Sequence, residues 1–180
     1  MKLVLDACVL YPTVMREVLL SAARAGCFAP VWSARLLEEW ARAAARLGPA
    51  HETQARGEIA LVRAHFPGAE APPAPGLEVR LWLPDEMDIH VLATAIAASA
   101  DGIVTLNAKD FPRNLLAEEG LDRIDPDTLL MRFWQEQPER LEAVAGDVLA
   151  QARALSGEDW EMRALLKKAR LPRFAKAVSA

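Results

Sequence analysis

Cysteine is scarce: Cys8 and Cys27 are the only two, and neither has a second cysteine or a histidine at finger-like spacing. Structural zinc and a disulfide framework are therefore disfavoured, and reduced, buried thiols are expected. No apolar run approaches the ~20 residues of a membrane span. The opening MKLVLDACVLYP has neither the length nor the small-residue cleavage site of a signal peptide, so a cytoplasmic protein without membrane contact is expected. No G-x-x-x-x-G-K-[ST] or G-x-G-x-x-G pattern follows an expected strand, which disfavours those nucleotide-binding folds. Positive charge is also in deficit. Lys and Arg number 21 against 25 Asp and Glu, a formal charge of −4 that argues against a general nucleic-acid coat but allows a local basic rim around an acidic metal site. The five tryptophans are too scattered for a stacking platform and are expected in core or interface positions.

The 180 residues can bury a core without staples. Lys2 to Leu5 reads as a central strand, apolar without alternation, with Asp6 at its carboxyl end. Pro12 starts a helix whose Val14, Val18, Leu19 and Ala22 share a face, and Gly26 ends it. Cys27 to Trp32 reads as an apolar link to Ser33, the N-cap of a helix with the buried stripe Leu36, Leu37 and Trp40 and with Glu38 and Glu39 beside it. A third helix spans 50 to 66, PGAEAPPAPG reads as a surface loop, and LEVRLWL, 77 to 83, alternates partly and predicts a strand. Pro84 and Asp85 make a helix start, and the stripe from Val91 to Ser99 runs to Gly102. GIVTL, 102 to 106, is a buried parallel strand by pattern, and Leu121 to Ile124 predicts a last edge strand. Residues 126 to 178 read as helical, restarted by Pro138, Ser156 and Pro172, with a basic run from Arg163 to Lys176 that suits a solvated face.

This α/β order brings distant residues to one edge. Asp6 follows the first strand, Glu39 lies on a helix, Asp88 stands at a helix start, and Asn107 and Asp110 follow a later strand; strand carboxyl ends line one side of a parallel sheet, where ligands bind. Crowded carboxylates repel unless a cation holds them, and oxygen ligands with water suit Mg²⁺ or Mn²⁺. The expected metal ligands are Asp6, Glu39, Asp88 and Asp110, and the chemistry that follows is metal-assisted phosphodiester hydrolysis. Thr105 suits a water-holding position, and Arg16, Lys109 and Arg113 are candidate phosphate contacts.

MKLVLDACVLYP, LLEEW and PDEMDIHVLATAIAASADGIVTLNAKDFP resemble the PIN-domain ribonucleases, especially the toxin halves of VapBC-type toxin–antitoxin pairs. The resemblance implies a three-layer PIN-like domain with a central parallel sheet over residues 1 to 130, followed by a helical C-terminal extension, 131 to 180, packed on it. It also implies a Mg²⁺-dependent endoribonuclease acting on RNA, a small antitoxin partner and a homodimer. Its acids fall on Asp6, Glu39, Asp88 and the TLNAKD segment. Two positions depart from the pattern: Cys8 stands where the family often has Asn, and Asn107 where it usually has Asp. With one charge fewer, Asp110 or Asp85 must compensate, and the rival reading is a catalytically weakened module that binds RNA or protein. A phosphatase of the haloacid-dehalogenase kind is disfavoured, because Asp6-Ala7-Cys8 lacks the second aspartate two residues on.

Overall fold

The computed structural model describes residues 1–179. Its contacts divide the chain into two compact units, one of Met1–Tyr11 with Ala29–Arg123, the other of Pro12–Phe28 with Ile124–Ala180.

The first unit is built on a sheet. Strand β1 (Lys2–Leu5) pairs in parallel with β2 (Ala29–Ser33) and β4 (Gly102–Val104), and β2 pairs in parallel with β3 (Glu70–Ala71). With β5 (Asp122–Ile124) the order is β3-β2-β1-β4-β5. Leu3, Val4, Leu5, Ile103 and Val104 are fully buried, as a strand covered on both faces requires. After β1 comes a single helical turn, α1 (Ala7–Leu10), and after β2 the helix α3 (Ala34–Ala45). Ser33 caps α3 by accepting from Leu36 N at 3.2 Å, and Leu36, Leu37 and Trp40 form its buried stripe, as the sequence predicts. Helix α4 (Pro49–His65) packs on α3, and α6 (Ile89–Ala97) packs on β1 and β2.

Several local expectations need correction. The apolar link at 27 to 32 contains strand β2. Pro30 is harmless there, because β2 bonds outward through Ala29 N to Met1 O and Trp32 N to Ala69 O, while β3 pairs only with Trp32 and Ser33, so no ladder bond is lost. Residues 77 to 83 are not a strand. Pro75 starts a short helix, α5 (Pro75–Glu78), and Val79 and Trp82 are exposed at 90% and 64%, so the alternating apolar residues find no common buried face. Helix α6 ends at Ala97, short of Gly102, on Ser99 in the left-handed region (φ 50°), with Ala100 N bonded back to Ala95 O.

The second unit is helical: α2 (Thr13–Arg24), α8 (Pro126–Glu136), α9 (Pro138–Ser156), α10 (Met162–Lys168) and α11 (Pro172–Ala177). Ser156 ends α9 rather than starting a helix: its hydroxyl donates to Ala152 O, and Gly157 follows in the left-handed region (φ 70°). Phe28 stacks on Phe133 at 5.9 Å, and buried Asp127 accepts from Arg173 N and Phe174 N, both at 2.9 Å, closing the start of α11. The remaining helix, α7 (Arg113–Glu118), belongs to the first unit.

Candidate functional site

The parallel register puts Leu5 beside Val104, so the next residue of each chain segment, Asp6 and Thr105, meet where adjacent strands end. Asp6 N donates to Val104 O at 3.1 Å, which fixes the backbone. Asp6 is buried, and its Oδ2 accepts from the Thr105 hydroxyl at 2.7 Å and from the Cys8 thiol at 2.9 Å. Leu106 N donates to Cys8 Sγ at 3.3 Å, and Asn107 N donates to Thr105 Oγ1 at 2.9 Å. One oxygen of Asp6 is thus clamped, while Oδ1 takes no hydrogen bond from the described residues. The Cys8 thiol is pushed up to about 12, first by burial and then by the Asp6 charge that it bonds, so it stays protonated as a donor.

Asp85, Asp88 and Asp110 make a second, more open group, each offering an oxygen within 4.8 Å of the others. Asp85 caps the 3-10 turn Glu86–Asp88 through Oδ1, which accepts from Met87 N at 2.9 Å, and that turn sets Asp88 at the head of α6. Asp110 lies on the turn after β4, which Arg123 holds by donating to Ala108 O at 2.8 Å and Phe111 O at 3.1 Å. Burial raises the Asp88 carboxyl to about 6, helped by the charges of Asp6, Asp85, Asp110 and Glu39. The two groups therefore share one field. Asn107 bridges part of it, its Nδ2 donating to Asp110 Oδ2 at 2.5 Å and to Asp88 Oδ2 at 3.4 Å.

Glu39 lies close enough to raise Asp88, but its Oε1 is engaged: His90 Nε2 stands 2.8 Å away and Arg35 Nε 3.4 Å. The His90 approach has an ion pair's distance without a hydrogen bond's alignment, and Nδ1 of this buried ring has no partner among the described residues. Glu38 points elsewhere, gripped by both terminal nitrogens of Arg56 at 3.0 and 3.1 Å. Of the expected phosphate contacts, Lys109 and Arg113 are exposed in the first unit. Arg16 differs: it is 1% exposed in the second unit, its Nε 3.4 Å from Glu17 Oε1, which does not suit a phosphate contact on an open rim. Two participants, Arg123 and the Leu106 amide, have no place among the residues that the sequence points to. Arg123 carries no local signal, being 12 residues or more from what it holds, and Leu106, whose N–H donates to Cys8 Sγ, lies 98 residues from it in the chain.

The donor set fits a hard divalent cation. All the available ligands are carboxylate or amide oxygens, and beyond its burial Asp88 is raised by neighbouring negative charge that a cation would relieve. Among the described residues, no helix is long and apolar enough to cross a membrane. No curated protein and no solved structure matches the chain. A family model does: that of the PIN domain covers residues 2–109, from the first residue of β1 through Asn107 to the turn before Asp110, and the chain belongs to the PIN-domain family.

Proposed function

We propose that this protein is a metal-dependent endoribonuclease, the toxin component of a toxin–antitoxin pair, with Mg²⁺ or Mn²⁺ held by Asp6, Asp88 and Asp110, assisted by Asp85. The observation that carries the reading is the convergence on Asp88: burial first, and then the charges of four carboxylates from four chain segments, raise its carboxyl to about 6 in a domain whose family points to nuclease chemistry. Maintaining that repulsion has little structural benefit without an ion. When bound, such an ion lowers the pKa of a water and steadies charge on the phosphate.

The chain's own residues prepare the site. Thr105 and Cys8 lock Asp6 Oδ2 so that Oδ1 has a fixed direction. Arg35 bonds Glu39 at the rim, where its charge deepens the field on Asp88. Lys109 and Arg113 are exposed and available to phosphate. The toxin assignment rests on the resemblance of the three motifs, which also proposes an antitoxin protein, a homodimer and a cytoplasmic location.

A second reading has an observation of its own. Asn107 Nδ2 already bonds two of the acids an ion would join, so a weakened module that binds RNA or protein without cutting also fits. Incubation with single-stranded and structured RNAs in chelator, then with Mg²⁺ or Mn²⁺ restored, separates the two. The nuclease reading expects cuts only with metal and none by Asp6→Asn; no cleavage of any RNA in either metal would favour the module.

A further inference from the structure

Beside Asp88 the first unit carries a groove of about 820 Å³ whose walls include Arg35, Arg42, Arg46 and Arg63. We propose that this groove binds the sugar–phosphate backbone of single-stranded RNA and leads it away from the carboxylates along α3; this rests on the nuclease reading for its substrate and adds the surface and direction of binding.

The argument begins with spacing. Arg35, Arg42 and Arg46 are seven and four residues apart, so on a period of 3.6 they fall on one face of α3 and its C-cap residue, in a row about 16 Å long at 1.5 Å per residue. The row starts at the reacting end: Arg35 bonds Met87 O at 3.3 Å and Glu39 Oε1 at 3.4 Å, and Glu39 and Asp88 line the same groove. Charge compensation fades along it. Glu39 answers Arg35, Glu38 is shared between Arg56 at 3.0 Å and Arg42 at 3.4 Å, and Arg46 has no ion-pair partner among the described residues. Arg42 is 74% exposed, and its pair with Glu38 is long at 3.4 Å, so a phosphate can compete for its guanidinium. On a chain of net charge −4, this concentration of arginine is local.

Guanidinium forks match phosphate oxygens, and a row of them is sequence-independent, as backbone contacts are. Among the groove's lining residues only Ala34 and Met87 are apolar, unlike the apolar, aromatic heart of a protein interface. A polyanion therefore fits better than a folded partner.

The test is fluorescence anisotropy of a labelled single-stranded RNA in chelator, across several salt concentrations, with the parent, the double variant Arg42→Ala/Arg46→Ala, and Arg132→Ala as a control in the second unit. All three side chains are exposed. For single strands each neutralised phosphate contributes about 0.7 to the slope of log K against log salt, so the double variant should bind more weakly with a slope smaller by about 1.4, and the control should match the parent. An unchanged slope, an equal fall in Arg132→Ala, or no RNA binding by the parent would overturn the proposal. Binding of polyglutamate as tight as that of RNA would overturn it in favour of an acidic protein partner. Failure of the nuclease reading looks different: the arginine-dependent slope would remain while the parent cuts no RNA in Mg²⁺ or Mn²⁺. Cleavage with an unchanged slope sinks the groove alone.

Discussion

Asn107 stands between the site's two fates. Its amide hydrogens draw Asp88 and Asp110 together and offset part of their repulsion, whereas a carboxylate at the same place would add a ligand and a charge. Asn107→Asp is therefore expected to keep or raise cleavage and to tighten Mn²⁺ binding in a calorimetric titration, and Asp110→Ala to abolish cleavage; weaker Mn²⁺ binding by Asn107→Asp would contradict this. Asp88 supplies a pH signature. Its folded carboxyl sits at about 6 against an ordinary 3.8, so between those values the native state holds the proton more tightly than the unfolded chain, and the contribution to stability falls as pH rises, fully lost above about 6. In chelator, Asp88→Asn should melt progressively higher than the parent as pH rises through this window, because the amide never ionises; a constant difference would show that Asp88 does not titrate there. Cys8 gives a third test. With its thiol raised to about 12, it should resist alkylation near neutral pH while half-buried Cys27, whose rise is countered by Arg140, reacts first, as peptide mapping would show. The acids of the site were legible in the sequence because each follows or heads a recognisable element. The donor to Cys8 was not, since Leu106 N is brought to the sulfur by strand register.

At the level of elements, legibility followed the strength of the local signal. The unbroken apolar runs of β1 and β4 and the Ser33 cap are visible in the sequence, and the Ser33 hydroxyl accepts a 3.2 Å bond from Leu36 N. Strand β2 was hidden by Pro30, whose missing donor faces a flank that β3 does not reach. The stretch 77 to 83 showed the opposite fault: a partial alternation suggested a strand, but a strand needs a neighbour, and here Arg80 instead reaches out to Glu119 at 2.8 and 3.1 Å. The capped start of α3 matters to the site because the same helix carries Arg35 and Glu39. Ser33→Ala should cost about 1 kcal/mol in chemical denaturation, since one helix N–H loses its acceptor; no loss would show that water replaces the cap at no cost.

On the scale of the whole molecule, the chain leaves the first unit after Tyr11, supplies α2 to the second, and returns at Ala29. Within the second unit α2 packs on α9 and α10, with Val18, Leu19 and Ala22 fully buried. A fragment ending at residue 130 removes those partners and exposes that apolar face, so it should lose its cooperative melt or aggregate; a fragment melting like the full chain would contradict the packing argument. The central claim is that the carboxylates around Asp88 hold a divalent cation, and calorimetric titration of Mn²⁺ into the metal-free full-length protein and its Asp88→Asn variant tests it most directly. The parent should bind saturably at a pH above 6, and the variant, still folded by its thermal melt, should bind at least about tenfold more weakly. Equal affinities in the two proteins, or no saturable binding by the parent, would contradict the account.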